Sequence, residues 1–541
     1  MRPEIFLVPG VRKDKSGKLE RRRFPRRQCR LDAFLALPDD NNVCVENISL
    51  GGLFFTDPAK SDLKRFLKLG SSVSLSIDLP QATERVQIKG TLLRIDHPNG
   101  SAHAAVQFED VKGLRFLDEF LQKGISDPFV QYFLMHDIDS DLREHRFLKF
   151  SKAKRLFGRI QRCLLDDAYT FQQPIEHLDD ATVVIDGKRK IMMSSYSYLG
   201  LLKDHRIISS SVEAIRNYGT GASGVRMLTG TTTLHIELEK KIAQLKNTEG
   251  AVVYSSGYLT NLAVISTLFD KNDIIFADYL SHQSILDACR LSGAMVMRFK
   301  HNDMGDLERL LRAAPLAPKR VIVTDAVFSM DGDIASIPAI VDLARHYGCC
   351  VYVDEAHSLG VLGKTGRGIN EHFNLPSGAI DIYMGTLSKA IPSSGGYVAG
   401  SKELIYYLKH ASNPYVFSAA LSPSESAAAI KALDILVEEP WRIQRLRENI
   451  DYFATGMRKI GFNLMSSETA IIPLLIGEDR KTSLLTKMMN DRNVFVCPVV
   501  FPAVPINRSR VRNCIMVSHN KEQLDYVLDA YAEAGKALGI V

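Results

Sequence analysis

From about residue 180 onward, short apolar runs alternate with amphipathic helical stretches, and this alternation restricts the fold more than any other feature. Buried runs that alternate with helices predict an α/β domain with a mostly parallel sheet covered on both faces. After residue 420, long helical stretches combine with alternating strands, which is typical of a smaller α+β lobe. The runs that predict strands of the sheet are Gly250–Ser255, Ile274–Ala277, Met295–Phe299, Val321–Asp325, Cys349–Val353 and Ile380–Met384.

The first part of the chain predicts a different architecture. Short β-type runs separated by turn residues predict a small antiparallel β-barrel. The runs are Asp32–Leu37, Val43–Ile48, Leu53–Thr56, Val73–Leu79, Val86–Ile95 and Ala102–Phe108. A charged and aromatic stretch with helical spacing follows. The predicted domains are a barrel at 1–122, a helical connector at 123–165, a large α/β domain with its N-terminal arm at 166–420, and the α+β lobe at 421–541.

The net charge of +6 is concentrated at the N-terminus, where residues 1–30 hold eleven Lys/Arg and three Asp/Glu. This predicts a local anionic partner rather than a nucleic acid polymer. No apolar run approaches the roughly 18 residues of a membrane span, and Ile5–Val8 is too short for a secretory signal, so we expect a cytoplasmic protein. The eight cysteines show neither a C-x-x-C pair nor zinc spacing, and no metal site is predicted.

Two predicted strands end in residues that can serve one ligand. Asp354 follows the run Cys349–Val353 directly, and His357 lies three residues further on. Lys389 follows a second run and the small polar sequence Gly385–Ser388. Isolated, such residues are more often a loop pair and a solvated surface charge. Because ligands bind beyond the carboxyl ends of parallel strands, we expect all three side chains at one edge of the sheet.

A turn rich in serine and glycine, Ser255–Asn261, lies between a predicted strand and an apolar helix. Free backbone N–H groups at a helix N-terminus bind phosphate well. Pyridoxal 5′-phosphate (PLP) requires a lysine amine, an acid for its pyridine nitrogen, donors for its phosphate and groups that hold its ring. The sequence provides candidates for all four, and it therefore predicts a PLP site that contains Lys389.

Residues 190–520 resemble the α-oxoamine synthases, fold-type-I PLP enzymes of the serine palmitoyltransferase, 8-amino-7-oxononanoate synthase and glycine C-acetyltransferase type. The resemblance implies a homodimeric acyltransferase that condenses an amino acid with an acyl thioester, releases CO2 and forms an α-aminoketone. The matching motifs, in the family's order, are Tyr198-Leu199-Gly200-Leu201, Tyr218-Gly219-Thr220-Gly221, Ser256-Gly257-Tyr258, Ser281-His282, His301-Asn302-Asp303, Val327–Asp333, Asp354-Glu355-Ala356-His357-Ser358 and Gly385-Thr386-Leu387-Ser388-Lys389.

The resemblance also implies a role for each matching residue. Lys389 would hold PLP and move the proton at the substrate Cα, Asp354 would face the pyridine nitrogen, and His282 would stack on the ring. Arg512 would bind the carboxylate of the amino acid. The other implied cofactor contacts are His357 and Ser329 at the phenolic oxygen, Ser256, Gly257, Tyr258, Thr386 and Ser388 around the phosphate and ring, and Ser418 at the phosphate of the neighbouring subunit.

Departures from the family pattern leave the substrates open. The segment Tyr196–Gly200 lacks the Asn-Asp pair of the biotin-pathway enzymes and is closer to the serine palmitoyltransferase type. Ala503 replaces a substrate-contacting threonine, and an arginine of those enzymes is replaced near Val500. Gln283 stands beside His282 in place of alanine, and Asp325 replaces the usual glutamate.

Two motifs at the start of the chain resemble those of PilZ domains, which bind the bacterial messenger cyclic di-GMP. The pattern R-x-x-x-R occurs at Arg22 and Arg26, and Asn47, Ser49 and Gly52 form the second motif. Arginine forks suit phosphates and guanine edges, and glycine permits a close turn. The resemblance spans about residues 18–122 and implies a cyclic di-GMP site at these five residues. The alternatives are a solvated basic arm, or a contact with nucleic acid or lipid.

Three functions remain compatible with the sequence. The leading hypothesis is an α-oxoamine synthase regulated by cyclic di-GMP. A second is another fold-type-I PLP reaction, that of an aminotransferase or an aldolase-type lyase. A third is a cyclic di-GMP receptor on an inactive enzyme fold, against which the intact Lys389, Asp354, His357 and His282 argue.

Overall fold

The computed structural model describes eight strands between Arg12 and Phe108, residues 148 and 150–165, and the continuous range 168–541. The chain divides into two compact units, Met1–Tyr169 and Thr170–Val541. Arg22 of the first PilZ-like motif lies outside the described residues, and so do residues 123–147 of the predicted connector. In the part of the chain that the structure describes, no helix has the length and apolar character needed to cross a bilayer.

The described residues of the first unit form short antiparallel strands and one helix. The elements are β1 (Arg12–Lys13), β2 (Leu19–Glu20), β3 (Arg26–Leu35), β4 (Asn42–Ser49), β5 (Gly52–Thr56), β6 (Ser72–Ile77), β7 (Val86–Asp96), β8 (His103–Phe108) and α1 (Ser151–Leu165). Strands β3 to β8 pair in the closed order β3-β4-β5-β8-β7-β6. In this register Arg26 pairs with Ser49, and Ser49 pairs with Gly52, so three residues of the two PilZ-like motifs share one cross-strand row.

The second unit begins with an arm of three strands and continues as alternating helices and strands. Its strands are β9 (His177–Asp179), β10 (Thr182–Ile185), β11 (Lys188–Met192), β12 (Gly250–Tyr254), β13 (Ile274–Asp278), β14 (Met295–Phe299), β15 (Arg320–Asp325), β16 (Cys350–Asp354), β17 (Ile382–Ser388), β18 (Pro392–Gly400), β19 (Ile471–Gly477), β20 (Val494–Phe495), β21 (Pro498–Val499) and β22 (Ser509–Cys514).

The helices of the second unit cover the sheet and build the C-terminal region. They are α2 (His205–Tyr218), α3 (Thr233–Lys246), α4 (Gly257–Leu268), α5 (Gln283–Ser292), α6 (Met304–Ala313), α7 (Ile337–Tyr347), α8 (Ile369–His372), α9 (Lys402–Ala411), α10 (Asn413–Val416), α11 (Pro423–Glu438), α12 (Trp441–Ile460), α13 (Asp479–Asp491) and α14 (Lys521–Ala537).

A seven-stranded sheet with the order β12-β18-β17-β16-β15-β13-β14 forms the centre of this unit. Its strands from β14 to β17 are parallel, which confirms the mostly parallel sheet that the apolar runs predicted. All five residues of β13 are buried, as expected for a strand covered on both faces. The carboxyl ends of β15 and β16 lie side by side, because Asp325 pairs with Asp354.

Strand β18 is an element that the sequence did not indicate. The segment Ser393–Gly396 has the composition of a tight turn, but it does not form one. The segment belongs to a strand that pairs antiparallel with both β17 and β12, and Gly395 and Gly396 are buried. Lys389 therefore lies in a connection of three residues between two paired strands.

The C-terminal region contains an antiparallel sheet with the order β19-β22-β21, flanked by long helices. Strands β19 and β22 lie in the region after residue 420 where the sequence predicted alternating strands among long helices. Strand β11 of the arm pairs in parallel with β20, through Ile191 with Val494. This pairing brings the segment after β11, which contains Tyr196 and Tyr198, toward β22.

Candidate active site

Lys389 lies beyond the end of β17, and its Nζ is 2.8 Å from Nε2 of His357. Desolvation lowers the pKa of Lys389 to about 8, although nearby Asp354 acts in the opposite direction. A large fraction of the amine is therefore neutral near pH 8, and a neutral amine is the nucleophilic form. The position of Lys389 after a buried strand, where desolvation lowers its pKa, thus makes its amine reactive.

His357 joins Lys389 to a tyrosine of the arm. Nδ1 of its ring is 2.8 Å from the hydroxyl of Tyr198. Burial, together with the nearby Lys389 amine, lowers the pKa of His357 well below its ordinary value, so the imidazole is neutral at physiological pH. Burial also raises the pKa of Tyr198 well above 10, so its hydroxyl keeps its proton. The three groups form a hydrogen-bonded row with Lys389 at one end.

Asp354 ends β16, and neutral donors hold both of its carboxylate oxygens. Nδ2 of Asn261 donates to Oδ2 at 2.8 Å, and the backbone N–H of Ala356 donates to Oδ1 at 2.9 Å. Asn261 is itself fixed, because the hydroxyl of Tyr352 donates to its Oδ1 at 2.5 Å. These contacts orient the buried carboxylate through neutral donors, so it can accept a hydrogen bond from a protonated ring nitrogen.

His282 is the N-cap residue of α5. Its backbone N–H donates to Oδ2 of Asp325 at 3.0 Å, and its ring Nδ1 is 2.6 Å from the hydroxyl of Ser284. Burial lowers the pKa of His282. Burial and the charge of Asp354 raise the pKa of Asp325 well above its usual range, which favours the protonated acid. The arrangement presents a neutral imidazole next to Asp354.

The first turn of α4 approaches β17 and β18 closely enough to require glycine. A Cβ atom on Gly257 would lie 2.9 Å from Oγ1 of Thr386, and one on Gly396 would lie 2.7 Å from Cα of Gly257. Thr386 Oγ1 is 2.9 Å from the hydroxyl of Ser388 and donates to the Gly395 carbonyl at 3.0 Å. Ser256 caps the helix. Hydroxyl groups and a helix N-terminus therefore meet in one place, which suits the phosphate of a bound cofactor.

Arg512 reaches the site from β22. Its Nη1 donates to the Ser329 carbonyl at 3.0 Å, and its Nη2 donates to the hydroxyl of Tyr196. The Tyr196 ring centroid is 4.9 Å from Cζ of Arg512 and 5.7 Å from Nζ of Lys389. Tyr196 thus contacts both the reactive Lys389 amine and a guanidinium that can pair with a carboxylate.

The structure brings most of the predicted site residues together, with Ser329 presenting its carbonyl to Arg512. Ser418 lies in a segment where Ala419 pairs with Val225, and a contact across a subunit boundary stays a prediction. Four residues of the site had no role assigned from sequence, namely Tyr196, Tyr198, Asn261 and Asp325. Tyr198 and Asn261 occur within or beside the matched motifs, and Asp325 was noted only as a substitution.

Comparisons with known proteins agree with this geometry. Residues 188–530 match the family model "Aminotransferase class I and II", and residues 20–121 match the model "PilZ domain". The 8-amino-7-oxononanoate synthase of Thermoanaerobacter pseudethanolicus is 46% identical over 66% of this chain and 91% of its own length. The serine palmitoyltransferase of Sphingobacterium spiritivorum is 42% identical over 70% of this chain and 95% of its own length.

A solved structure of serine palmitoyltransferase from S. paucimobilis, with bound PLP-myriocin aldimine, has a TM-score of 0.71 and 33% identity. The match covers 72% of this chain and 99% of that chain. The fold, the partly buried Lys389 and the relatives lead to one conclusion. The chain belongs to the PLP-dependent α-oxoamine synthase family of acyltransferases, and it carries a PilZ domain in its N-terminal part.

Proposed function

We propose that this enzyme condenses an α-amino acid with an acyl thioester, carried by coenzyme A or a carrier protein, with loss of CO2. The observation that carries the proposal is the placement of Cζ of Arg512 and Nζ of Lys389 at 4.9 and 5.7 Å from the ring centroid of Tyr196. This spacing suits one α-amino acid with its carboxylate at Arg512 and its amino group at Lys389. Bound PLP supplies an electron sink that stabilises negative charge at the substrate Cα.

The residues around Lys389 fit that cofactor. Neutral donors orient the Asp354 carboxylate, which suits the pyridine nitrogen, and His282 offers a neutral ring for stacking. The close approach of Gly257 to Thr386 leaves backbone N–H groups and hydroxyls for the phosphate. His357 can bind the phenolic oxygen through the nitrogen that otherwise contacts Lys389.

Lys389 is the group that we assign to proton movement at Cα. Its pKa of about 8 lies near physiological pH, where a base can both accept and return a proton. Tyr198 holds the neutral His357 beside this amine. Arg512, whose other donors are fixed by Ser329 and Tyr196, holds the carboxylate until it leaves as CO2.

The test of this proposal is product analysis. The purified enzyme with PLP is incubated with a panel of amino acids and acyl thioesters, and products are identified by mass spectrometry. We expect release of free thiol and CO2 in equal amounts, together with an α-aminoketone that retains the acyl chain. Formation of a keto acid without consumption of a thioester would instead assign an aminotransferase.

Cyclic di-GMP is the effector that we propose for the PilZ domain. Support comes from the match of residues 20–121 and from the cross-strand row that contains Arg26, Ser49 and Gly52. Arginines that flank such a row can bind the phosphates and guanine edges of the nucleotide. Because both domains belong to one chain, we propose that nucleotide binding changes turnover by the synthase. We also propose that the enzyme is a cytoplasmic homodimer in which Ser418 reaches the cofactor phosphate of the neighbouring subunit.

Replacing Arg22 and Arg26 together with alanine is expected to weaken cyclic di-GMP binding by about 100-fold, because two charge-assisted contacts are lost. Isothermal titration calorimetry measures the affinity, and steady-state kinetics with and without saturating nucleotide measures its effect. Arg30→Ala, on β3 but outside the motif, is the matched control. Identical kinetics at saturating nucleotide would refute regulation while leaving the proposed reaction intact.

A further inference from the structure

Asp287 on α5 accepts three hydrogen bonds beside the candidate active site. Its Oδ2 accepts from the hydroxyl of Tyr258 at 2.5 Å. Its Oδ1 accepts from Nε2 of Gln283 at 2.8 Å and from Nη1 of Arg290 at 2.6 Å. The tyrosine bond, followed by the glutamine bond, lowers the pKa of Asp287, so the carboxylate is ionised at neutral pH. None of the catalytic roles above uses this residue.

Two of the partners of Asp287, Tyr258 and Gln283, belong to the first turns of two helices at the candidate cofactor site. Tyr258 is the second residue of α4, directly after Gly257 at the close approach to Thr386. Gln283 is the first residue of α5 and follows His282. One carboxylate therefore connects the turn that suits the phosphate with the turn that carries the stacking imidazole.

A second link joins the same helices in the protein interior. Nδ2 of Asn261 donates to the hydroxyl of Ser284 at 2.8 Å, and both residues are buried. This link and the apolar packing of both helices fix their spacing in the interior, whereas the exposed first turn of α4 lies outside that buried cluster. The bond from Tyr258 to Asp287 lies one turn nearer the start of α4 and restrains this first turn. Arg290 balances the charge of the carboxylate, which would otherwise repel a nearby phosphate.

We propose that Asp287 is a positioning residue that holds the first turn of α4 in the geometry that binds the cofactor phosphate. The inference rests on the proposed function in one respect, namely that residues 256–258 bind that phosphate. It assigns to Tyr258 a task for its hydroxyl group, in addition to the backbone contact that its position implies.

The test is a titration of the cofactor-free enzyme with PLP, followed by the absorbance of the bound cofactor. The variants are Asp287→Asn, Tyr258→Phe and the double variant. Each single variant is expected to raise the Kd for PLP by up to about fivefold, and the double variant no further than Tyr258→Phe, because asparagine weakens and phenylalanine removes the same bond. Asp306→Asn is the matched control, since Asp306 likewise pairs with an arginine three residues later, Arg309, but on α6.

The thermal midpoint of the cofactor-free proteins separates positioning from general stability. Similar midpoints for Asp287→Asn and Asp306→Asn, with weaker PLP binding in the former alone, support the proposal. An unchanged Kd in Asp287→Asn, or additive losses in the double variant, would overturn it. Failure of the unaltered enzyme to bind PLP would overturn the proposed function itself, and the inference with it.

Discussion

Replacing Lys389 by alanine is expected to lower kcat/KM by on the order of 10⁴-fold, because a positioned base typically contributes 10² to 10⁴ and the covalent anchor is lost as well. The His357 contact at 2.8 Å and the lowered pKa of the amine, about 8, are the features that make this lysine the reactive one. Product formation measured by mass spectrometry at saturating PLP checks the result. The absorbance that PLP acquires on bonding to the enzyme amine should disappear in the same variant.

The matched control is Lys431→Ala, which removes a half-exposed lysine that pairs with Asp434 at 3.7 Å. This variant should retain the activity and the absorbance of the unaltered enzyme, since surface pairs of this kind contribute little. A loss of turnover of only about tenfold in Lys389→Ala would be smaller than the contribution of a general base. That result would assign proton movement to another group. Of the neighbouring groups, the buried neutral His357 would then be the first candidate.

Replacing Arg512 by alanine is expected to raise the KM for the amino acid by about 100-fold, because a charge-assisted pair with the substrate carboxylate is lost from a buried site. The guanidinium is held by the Ser329 carbonyl and by Tyr196, so in the intact enzyme its orientation is fixed before the substrate arrives. The KM for the acyl thioester should change much less. Steady-state kinetics with each substrate varied in turn measures the two values separately.

Arg508→Ala is the matched control, because Arg508 is exposed and precedes β22 on the same stretch of chain. Its backbone carbonyl, which accepts from Arg510, is retained in the variant. An equal rise in both KM values for Arg512→Ala would indicate a general distortion of the site. Near-normal amino acid KM with lost stability would make Arg512 a structural residue that supports the Ser329 loop.

Much of the fold could be predicted from the sequence, because the parallel strands are continuous apolar runs. Strand β18 could not, because Pro392-Ser393-Ser394-Gly395-Gly396 has the composition of a turn. The glycines are required there by tertiary contacts. A Cβ on Gly396 would lie 2.5 Å from Oγ1 of Thr260, and one on Gly395 would lie 2.9 Å from the Tyr254 carbonyl oxygen. Local propensity carries no information about such a distant neighbour.

Some residues of the candidate site could likewise be predicted from the sequence, and others could not. Lys389 and Asp354 follow buried strands, so their position at the carboxyl ends could be predicted from the chain. The partners that tune them could not, because the bonds join distant positions: Tyr198 contacts His357 across 159 residues, and Asn261 contacts Asp354 across 93. Only the folded chain reveals these pairs. The neutral state of His357 depends on that burial and on the Lys389 amine.

The short connection between β17 and β18 has a consequence for directed evolution of this scaffold. Residues 389–391 are held at both ends by paired strands, so the reactive amine does not depend on any long loop. The stretch 500–508, where the chain departs from the biotin-pathway pattern, precedes β22 and is largely exposed. Libraries that diversify this stretch are therefore expected to leave the β17–β18 hairpin, which carries Lys389, unchanged in shape.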